Sequence, residues 1–277
     1  MKADHDYTHG YGEEEARRLR VQADALADLL HEGTAYSPGA RVLEVGCGVG
    51  AQSVHLLRRS PGIDLTAMDR SPGSLHRAKE RLTAEYPTAR VTWCEADLFT
   101  LPFSDDSFDH VFVCFVLEHV SDPEKALREL REVLRPGGSI TVIEGDHGSA
   151  FFHPDSPYAR EVISCQVAAQ AEAGGDANIG RRLHPLLAAA GFRGVSVRAL
   201  TVRPDRPGGT GTGDEGAGGG ALGGDTYLSM VEASMERAVA QRRITAVTST
   251  RGLADLRRAV DDGAFYHTFL KAVAFRE

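Results

Sequence analysis

A glutamate, three alternating glycines and two aspartates carry most of the chemistry legible in this chain. The stretch RVLEVGCGVG (41–50) leads β-branched and apolar residues into Glu44 and then Gly46, Gly48 and Gly50. An apolar strand ending in closely spaced glycines lets backbone N–H groups reach a nucleotide-like ligand, because a Cβ would block the approach or forbid the turn. A helical stretch, 52–58, follows, so the glycines sit where helix-terminal N–H groups have no internal partner. Asp69 ends a second apolar run, placed to accept hydrogen bonds from two ribose hydroxyls and to repel a phosphorylated ribose. Asp97 follows a third run and can accept a bond from an exocyclic adenine amine, with Leu98 against the ring. Each acid alone also reads as an N-cap or a solvated loop residue; the ordered set points to a bound nucleotide-like molecule. Gly46-x-Gly48-x-x-Ala51 fits the loose dinucleotide fingerprint as well, although no Tyr-x-x-x-Lys or comparable hydride-transfer set accompanies it.

Strands must place these residues, and the pattern supplies them. Residues 11–32 read as an amphipathic helix, with Leu19, Ala23, Leu26, Leu29 and Leu30 at helical spacing. Strands follow at 41–45, 63–68, 91–94, 109–115 and 139–144, the fourth nearly all apolar, as in a strand buried on both faces. Ser71-Pro72 opens a helix as N-cap and first helical residue, and a helix over 122–134 stops at Arg135-Pro136-Gly137-Gly138. Strands alternating with helices define a doubly wound α/β sheet. Further on come a helix over 181–190, a strand over 195–202, helices over 226–240 and 253–261, and a last strand over 265–275. Residues 204–224 are Gly-rich and cannot bury enough apolar area to order themselves, so they read as a loop or linker. The expected division is a helical N-terminus (1–36), a core (37–203), a Gly-rich loop with helical insertion (204–262) and a closing strand (263–277). The strands at 195–202 and 265–275 are expected to form an antiparallel pair at the sheet edge.

Composition narrows the classes. The 277 residues are 42% apolar with a net charge of −8. That charge, without basic clusters, argues against nucleic acid as a partner. No apolar run spans a bilayer and MKADHDYTHG is no signal peptide, so no membrane partner and a cytoplasmic location are expected. Cys47, Cys94, Cys114 and Cys165 are widely spaced, with neither disulfide nor zinc pattern, and no metal site is expected.

VLEVGCGVG, Asp69, EADLFTLPFSDDSFD (95–109), VCFVLEHV (113–120) and LREVLRPGGSITVIEG (130–145) together resemble the successive motifs of the class I S-adenosylmethionine-dependent methyltransferases. Glu44, two residues before the first glycine, is similar to that family rather than to dehydrogenases. The resemblance covers about residues 7–203 and implies a Rossmann-like seven-stranded sheet whose last strand is antiparallel. It implies that Gly46, Gly48 and Gly50 approach the methionine part of the cofactor, Asp69 its ribose and Asp97 its adenine. Tyr11, Glu44, Gln52, Arg70, Leu98, Phe115 and His119 complete the cofactor set it implies. The segment 7–34, with IEGDHGSAFFHPDS (143–156), resembles a narrower small-molecule branch from specialised metabolism, part of which methylates an indole at carbon 3. Tyr7, His9 and Tyr11 would then close over the cofactor as an N-terminal lid, or else fasten the first helix to the body.

An activated methyl sulfonium mainly needs alignment with its acceptor, and a neutral acceptor must also lose a proton. Asp146-His147 is expected to leave the fifth strand facing the methyl end. His147 would act as base, titrating near neutral pH, with Asp146 or Glu144 orienting it; His147 could instead cap the following turn. For an indole the ring N–H proton would leave, and a side-chain amide nitrogen could close on carbon 2 to give a pyrroloindoline, as for a tryptophan-derived cyclic dipeptide. Tyr7, Phe115 and Phe152 (or Phe151) would wall an aromatic acceptor, unless Phe151 and Phe152 are core. Methylation at nitrogen or oxygen, an NAD-dependent dehydrogenase and a non-catalytic cofactor-binding protein are the alternatives. A small aromatic molecule is the expected partner, and a homodimer the assembly to test.

Overall fold

The computed structural model describes residues 13–203 and 224–277; the expectations on Tyr7, His9 and Tyr11, and on the Gly-rich stretch up to residue 223, lie outside the described residues. Seven strands form one sheet in the order β3-β2-β1-β4-β5-β7-β6. They are β1 (Arg41–Val45), β2 (Asp64–Asp69), β3 (Arg90–Glu95), β4 (Phe108–Cys114), β5 (Leu134–His153), β6 (Arg193–Val202) and β7 (Ala264–Phe275). β1 to β5 are parallel, and β7 runs antiparallel between β5 and β6. The doubly wound, seven-stranded expectation is therefore met, with the edge pair in the order β7-β6. The strand order reverses between β1 and β4, which opens a crevice beyond their carboxyl ends.

Strand alternation divides the core. Val42, Leu65 and Phe112 face one side of the sheet, against Leu26 and Leu30 of α1 (Glu13–Leu30) and Leu56 of α2 (Ser53–Arg59). Leu43, Val45, Val111 and Val113 face the other, against Leu127 and Leu130 of α4 (Pro123–Val133) and Leu183 and Leu187 of α6 (Leu183–Ala189). This is the period-2 reading of a strand covered on both faces.

Three helices start alike. Ser71, Asp122 and Ser156 each accept a hydrogen bond from the backbone N–H three residues on, and each is followed by proline. They cap α3 (Pro72–Glu85), α4 and α5 (Pro157–Glu172). α5 is absent from the sequence-based expectation, yet Ser156-Pro157 is the signature that places α3. It packs on α7 (Gly224–Ala240) and α8 (Ala246–Asp262), and α7 also touches α1. Gly252 of α8 lets it approach α5, since a Cβ there would stand 2.5 Å from the Tyr158 carbonyl oxygen. Among the described residues no helix is long and apolar enough to cross a membrane.

The largest departure is β5. It does not end at Glu144 but continues to His153, because β7 lies beside it and supplies ladder partners up to His153↔Ala264, with a register shift between Asp146 and Phe151. Asp146 and His147 are thus strand residues rather than the start of a loop.

Candidate functional site

A cavity of about 410 Å³ lies beyond the carboxyl ends of β1, β2 and β4, at the switch point, within the size range of small-molecule sites. Gly46, Gly48 and Gln52 line it from the β1–α2 turn, Asp69 and Arg70 from the end of β2, Asp97 and Leu98 from the segment after β3, and Phe115 and His119 from the end of β4. Leu19, Gln22 and Ala23 of α1 roof it.

Asp69 organises the glycine turn. One carboxylate oxygen accepts from the Gly48 N–H at 2.8 Å and the other from the Ser71 N–H at 2.8 Å. A carboxylate has about four acceptor positions, and the Asp69 side chain lines the cavity, so it can still accept from a ligand there. Burial raises the Asp69 carboxyl above its ordinary range, and the hydrogen bonds from Ser71 and Gly48 oppose that. Gly48 has φ +53°, and an added Cβ would meet no atom of the described residues beyond its chain neighbours within 4 Å. Asp97 accepts from the Phe99 N–H at 2.7 Å and keeps lone pairs to spare. The open space at Gly48 and the two aspartates on the cavity wall fit a cofactor with a ribose and an adenine.

Gly46 is fixed by packing. At φ +66°, a Cβ would stand 2.6 Å from Val116 Cγ2. Gly46→Ala is expected to destabilise the fold by about 2 kcal/mol through a left-handed alanine and a forced shift of Val116, seen as a lower urea midpoint.

Gly50 does not reach the cavity. It packs on α3, where a Cβ would meet Leu82 Cδ1 at 2.8 Å. Glu44 is also absent from the lining: 2% exposed, it accepts from Ser53 Oγ at 2.5 Å and so ties β1 to the start of α2. These two expected cofactor contacts are corrected to supports of the turn. Burial pushes the Glu44 carboxyl up to about 7. An acid raised in the folded state disfavours folding once it ionises, so the stability it leaves intact below pH 4.5 is lost as pH rises to about 7. Glu44→Gln is expected to remove that loss, about 3 kcal/mol between those limits, measured as the difference between the two proteins' urea stabilities at pH 4.5 and 7.5.

The expected catalytic and acceptor residues are redistributed. Glu144 is fully buried and accepts from the Val116 and Leu117 N–H groups at 3.0 and 2.7 Å, fastening the turn after β4 rather than a histidine. Asp146 is bound bidentately by Arg181. Neither can orient His147; the carboxylate that faces it is Glu118, 3.5 Å from Nε2. His147 is itself 8% exposed and lies outside the cavity lining. Phe152 is core, 6% exposed among α5, α8 and β7 residues, and Phe151 is 62% exposed; neither is a cavity wall. Among the described residues, Phe115 is the expected aromatic wall that lines the cavity, at φ +57° with its ring 5.3 Å from Phe269. Such backbone strain on a bulky residue concentrates at functional sites.

Two contributors lie outside the sequence motifs. His31 of the α1 C-terminus stacks on Phe112 with ring centroids 5.3 Å apart. Burial lowers it to about 3, so it is neutral, and its Nε2–H donates to Gln52 Oε1 at 2.8 Å. Lys271 of β7 donates its Nζ to the Leu30 and Glu32 carbonyls at 2.9 and 2.7 Å and to Thr34 Oγ1. Both hold the roof helix or the turn beneath it.

Residues 43–142 match the family model described as a methyltransferase domain. A ubiquinone/menaquinone biosynthesis C-methyltransferase from Paracoccus denitrificans is 33% identical over 49% of this chain and 58% of its own length. The chain spans about half the length of the curated relatives it matches. Among solved structures, the [4+2]-cyclase SpnF superposes with a TM-score of 0.58 at 22% identity, covering 91% of this chain and 81% of that one. A phosphoethanolamine N-methyltransferase from Haemonchus contortus, solved with S-adenosylhomocysteine, gives 0.55 at 19%, covering 91% and 52%. The fold is that of the class I methyltransferases.

Proposed function

We propose that this chain, with its methyltransferase domain at 43–142, binds S-adenosylmethionine in the switch-point cavity and moves its methyl group to a small natural-product acceptor. The observation that carries the reading is the acceptance by Asp69 from the Gly48 and Ser71 N–H groups, which shapes the glycine turn and sets a carboxylate on the cavity wall, where ribose hydroxyls would donate to it. The same carboxylate disfavours a phosphorylated ribose.

The cofactor supplies a methyl group on positively charged sulfur, activated for in-line displacement. The protein's part is alignment. Gly46 and Gly48 would bring backbone close to the methionine portion, Asp69 and Asp97 would hold the nucleoside, and α1, whose Leu19, Gln22 and Ala23 line the cavity, would cover it. Excluding water and fixing the angle of approach supply most of the rate.

The acceptor in this reading is an indole methylated at carbon 3, with ring closure to a pyrroloindoline. Phe115 supports it by presenting a strained, partly buried ring to the cavity, and a relative named as a C-methyltransferase is in keeping with carbon as the nucleophile. Incubation with S-adenosylmethionine and a panel of tryptophan derivatives, cyclic dipeptides, phenols and amines, followed by mass and absorbance, tests it. Gain of one methyl with loss of indole absorbance is the expected result. Gain of methyl with the chromophore intact would move the chemistry to nitrogen or oxygen, and no methyl gain on any acceptor would count against transfer.

A further inference from the structure

We infer that the proton released on methyl transfer is taken by His119, held in place by Glu118 and backed by His147. The inference rests on the methyl-transfer reading above. Two histidines lie near the end of β4, and only one meets the cavity: His119 lines it, whereas His147 is 92% buried and does not. The His147 Nδ1 is sealed from solvent and has no hydrogen-bond partner, so an acceptor molecule has no direct path to it.

One carboxylate joins the pair. Glu118 Oε1 stands 3.6 Å from His119 Nε2, and Oε2 stands 3.5 Å from His147 Nε2. Gln170 of α5 donates to Oε2 at 3.2 Å and to the Glu118 carbonyl at 3.0 Å. The Asp176 N–H donates to that carbonyl at 2.9 Å, and a Cβ at Gly175 would stand 2.3 Å from it. The turn carrying Glu118 and His119 is therefore clamped from above by α5 and its following loop, and from below by Glu144. The other ionisable groups facing this cluster are Glu144 of β5, His267 of β7, 5.3 Å ring to ring from His147, and Cys114 of β4. Burial alone would raise the Glu118 carboxyl, but His119, His147 and Gln170 together hold it well below its usual range. Burial and the charge on Glu118 push Glu144 well up.

The balance for an indole is as follows. The C2–C3 π pair forms the C3–methyl bond while the methyl–sulfur bond breaks and its pair stays on sulfur. The ring nitrogen's lone pair closes N1=C2, and the N–H proton passes to the His119 imidazole, leaving its bonding pair on nitrogen. When an amide nitrogen adds to C2, its proton passes to N1, so one proton in all reaches His119, where the adjacent carboxylate stabilises the imidazolium. An N–H or O–H acceptor releases its proton to the same ring.

Three variants test this. His119→Asn is expected to lower kcat about 100-fold on whichever panel acceptor is turned over. Glu118→Gln, whose side chain lies outside the cavity lining, should lower it about 10-fold and move the acid limb of the pH–rate profile to lower pH, with S-adenosylhomocysteine affinity within about threefold of the parent. A second readout needs no acceptor. In histidine-labelled protein saturated with S-adenosylhomocysteine, the His119 and His147 ring signals should titrate at lower pH in Glu118→Gln, with exposed His184 unmoved. His147→Gln gives the opposite sign at His119, which then has Glu118 to itself, and it serves if Glu118→Gln does not fold. Turnover by His119→Asn within about threefold of the parent, or ring signals indifferent to Glu118 and His147, overturns the assignment. Failure of the parent protein to bind S-adenosylhomocysteine would instead remove the methyl-transfer reading itself.

Discussion

Asp69→Asn is expected to raise the Kd for S-adenosylhomocysteine about 100-fold, a loss near 3 kcal/mol, read by calorimetric titration. Both carboxylate oxygens accept from backbone N–H groups, of Gly48 and Ser71. An asparagine offers one oxygen and one NH2, so whichever way it turns, one backbone N–H faces another donor. A buried donor left without an acceptor costs about 1–3 kcal/mol, and the cost falls on the turn that shapes the cavity. The lost contacts to the ribose add to it. Ser71 also caps α3, so a loosened Ser71 should speed amide exchange in the first turn of that helix. Unchanged affinity with unchanged exchange would mean that Asp69 neither shapes the turn nor meets the ligand.

Lys271→Met should destabilise the protein by about 3 kcal/mol and loosen the roof of the cavity. The ammonium satisfies the carbonyls of Leu30 and Glu32 and the hydroxyl of Thr34, all at or just beyond the C-terminus of α1. Those carbonyls have no partner within the helix, and a positive charge at that end also complements the helix dipole. Burial costs the ammonium something, lowering Lys271 to about 8. Methionine removes that cost but leaves two buried acceptors, the Leu30 carbonyl and the Thr34 hydroxyl, and the half-buried Glu32 carbonyl without their donor, which outweighs it. Because Leu19, Gln22 and Ala23 of α1 line the cavity, the expected signs are a lower urea midpoint, faster exchange at the end of α1 and weaker S-adenosylhomocysteine binding. A stable variant that keeps full affinity would show that α1 is held by its apolar face alone.

What could be read from the sequence was what is local. Gly46, Gly48, Asp69 and Asp97 each follow an apolar run, and a strand's carboxyl end is where a doubly wound sheet opens its crevice, so type and place together put them on the cavity lining. Glu44 and Gly50 belong to the same motif yet act on Ser53 and Leu82; motif membership does not separate contact from support. β5 outran its expected end because its second half pairs with a strand more than a hundred residues on, and no local pattern reports that. Glu118 reads as one polar residue in an apolar turn until α5 brings Gln170 over it and β5 brings His147 beneath. Lys271 interrupts an apolar strand, the mark of a buried charge with a distant partner, but the partner is some 240 residues away. α5 alone was within reach, since Ser156-Pro157 repeats the start of α3.

The central claim is that the switch-point cavity is an S-adenosylmethionine site. Calorimetric titration of the unaltered chain with S-adenosylhomocysteine, and in parallel with NAD, tests it most directly, because the glycine spacing alone admits both. One-to-one binding of S-adenosylhomocysteine with none of NAD is the predicted result. Binding of NAD without S-adenosylhomocysteine, or of neither, would contradict it.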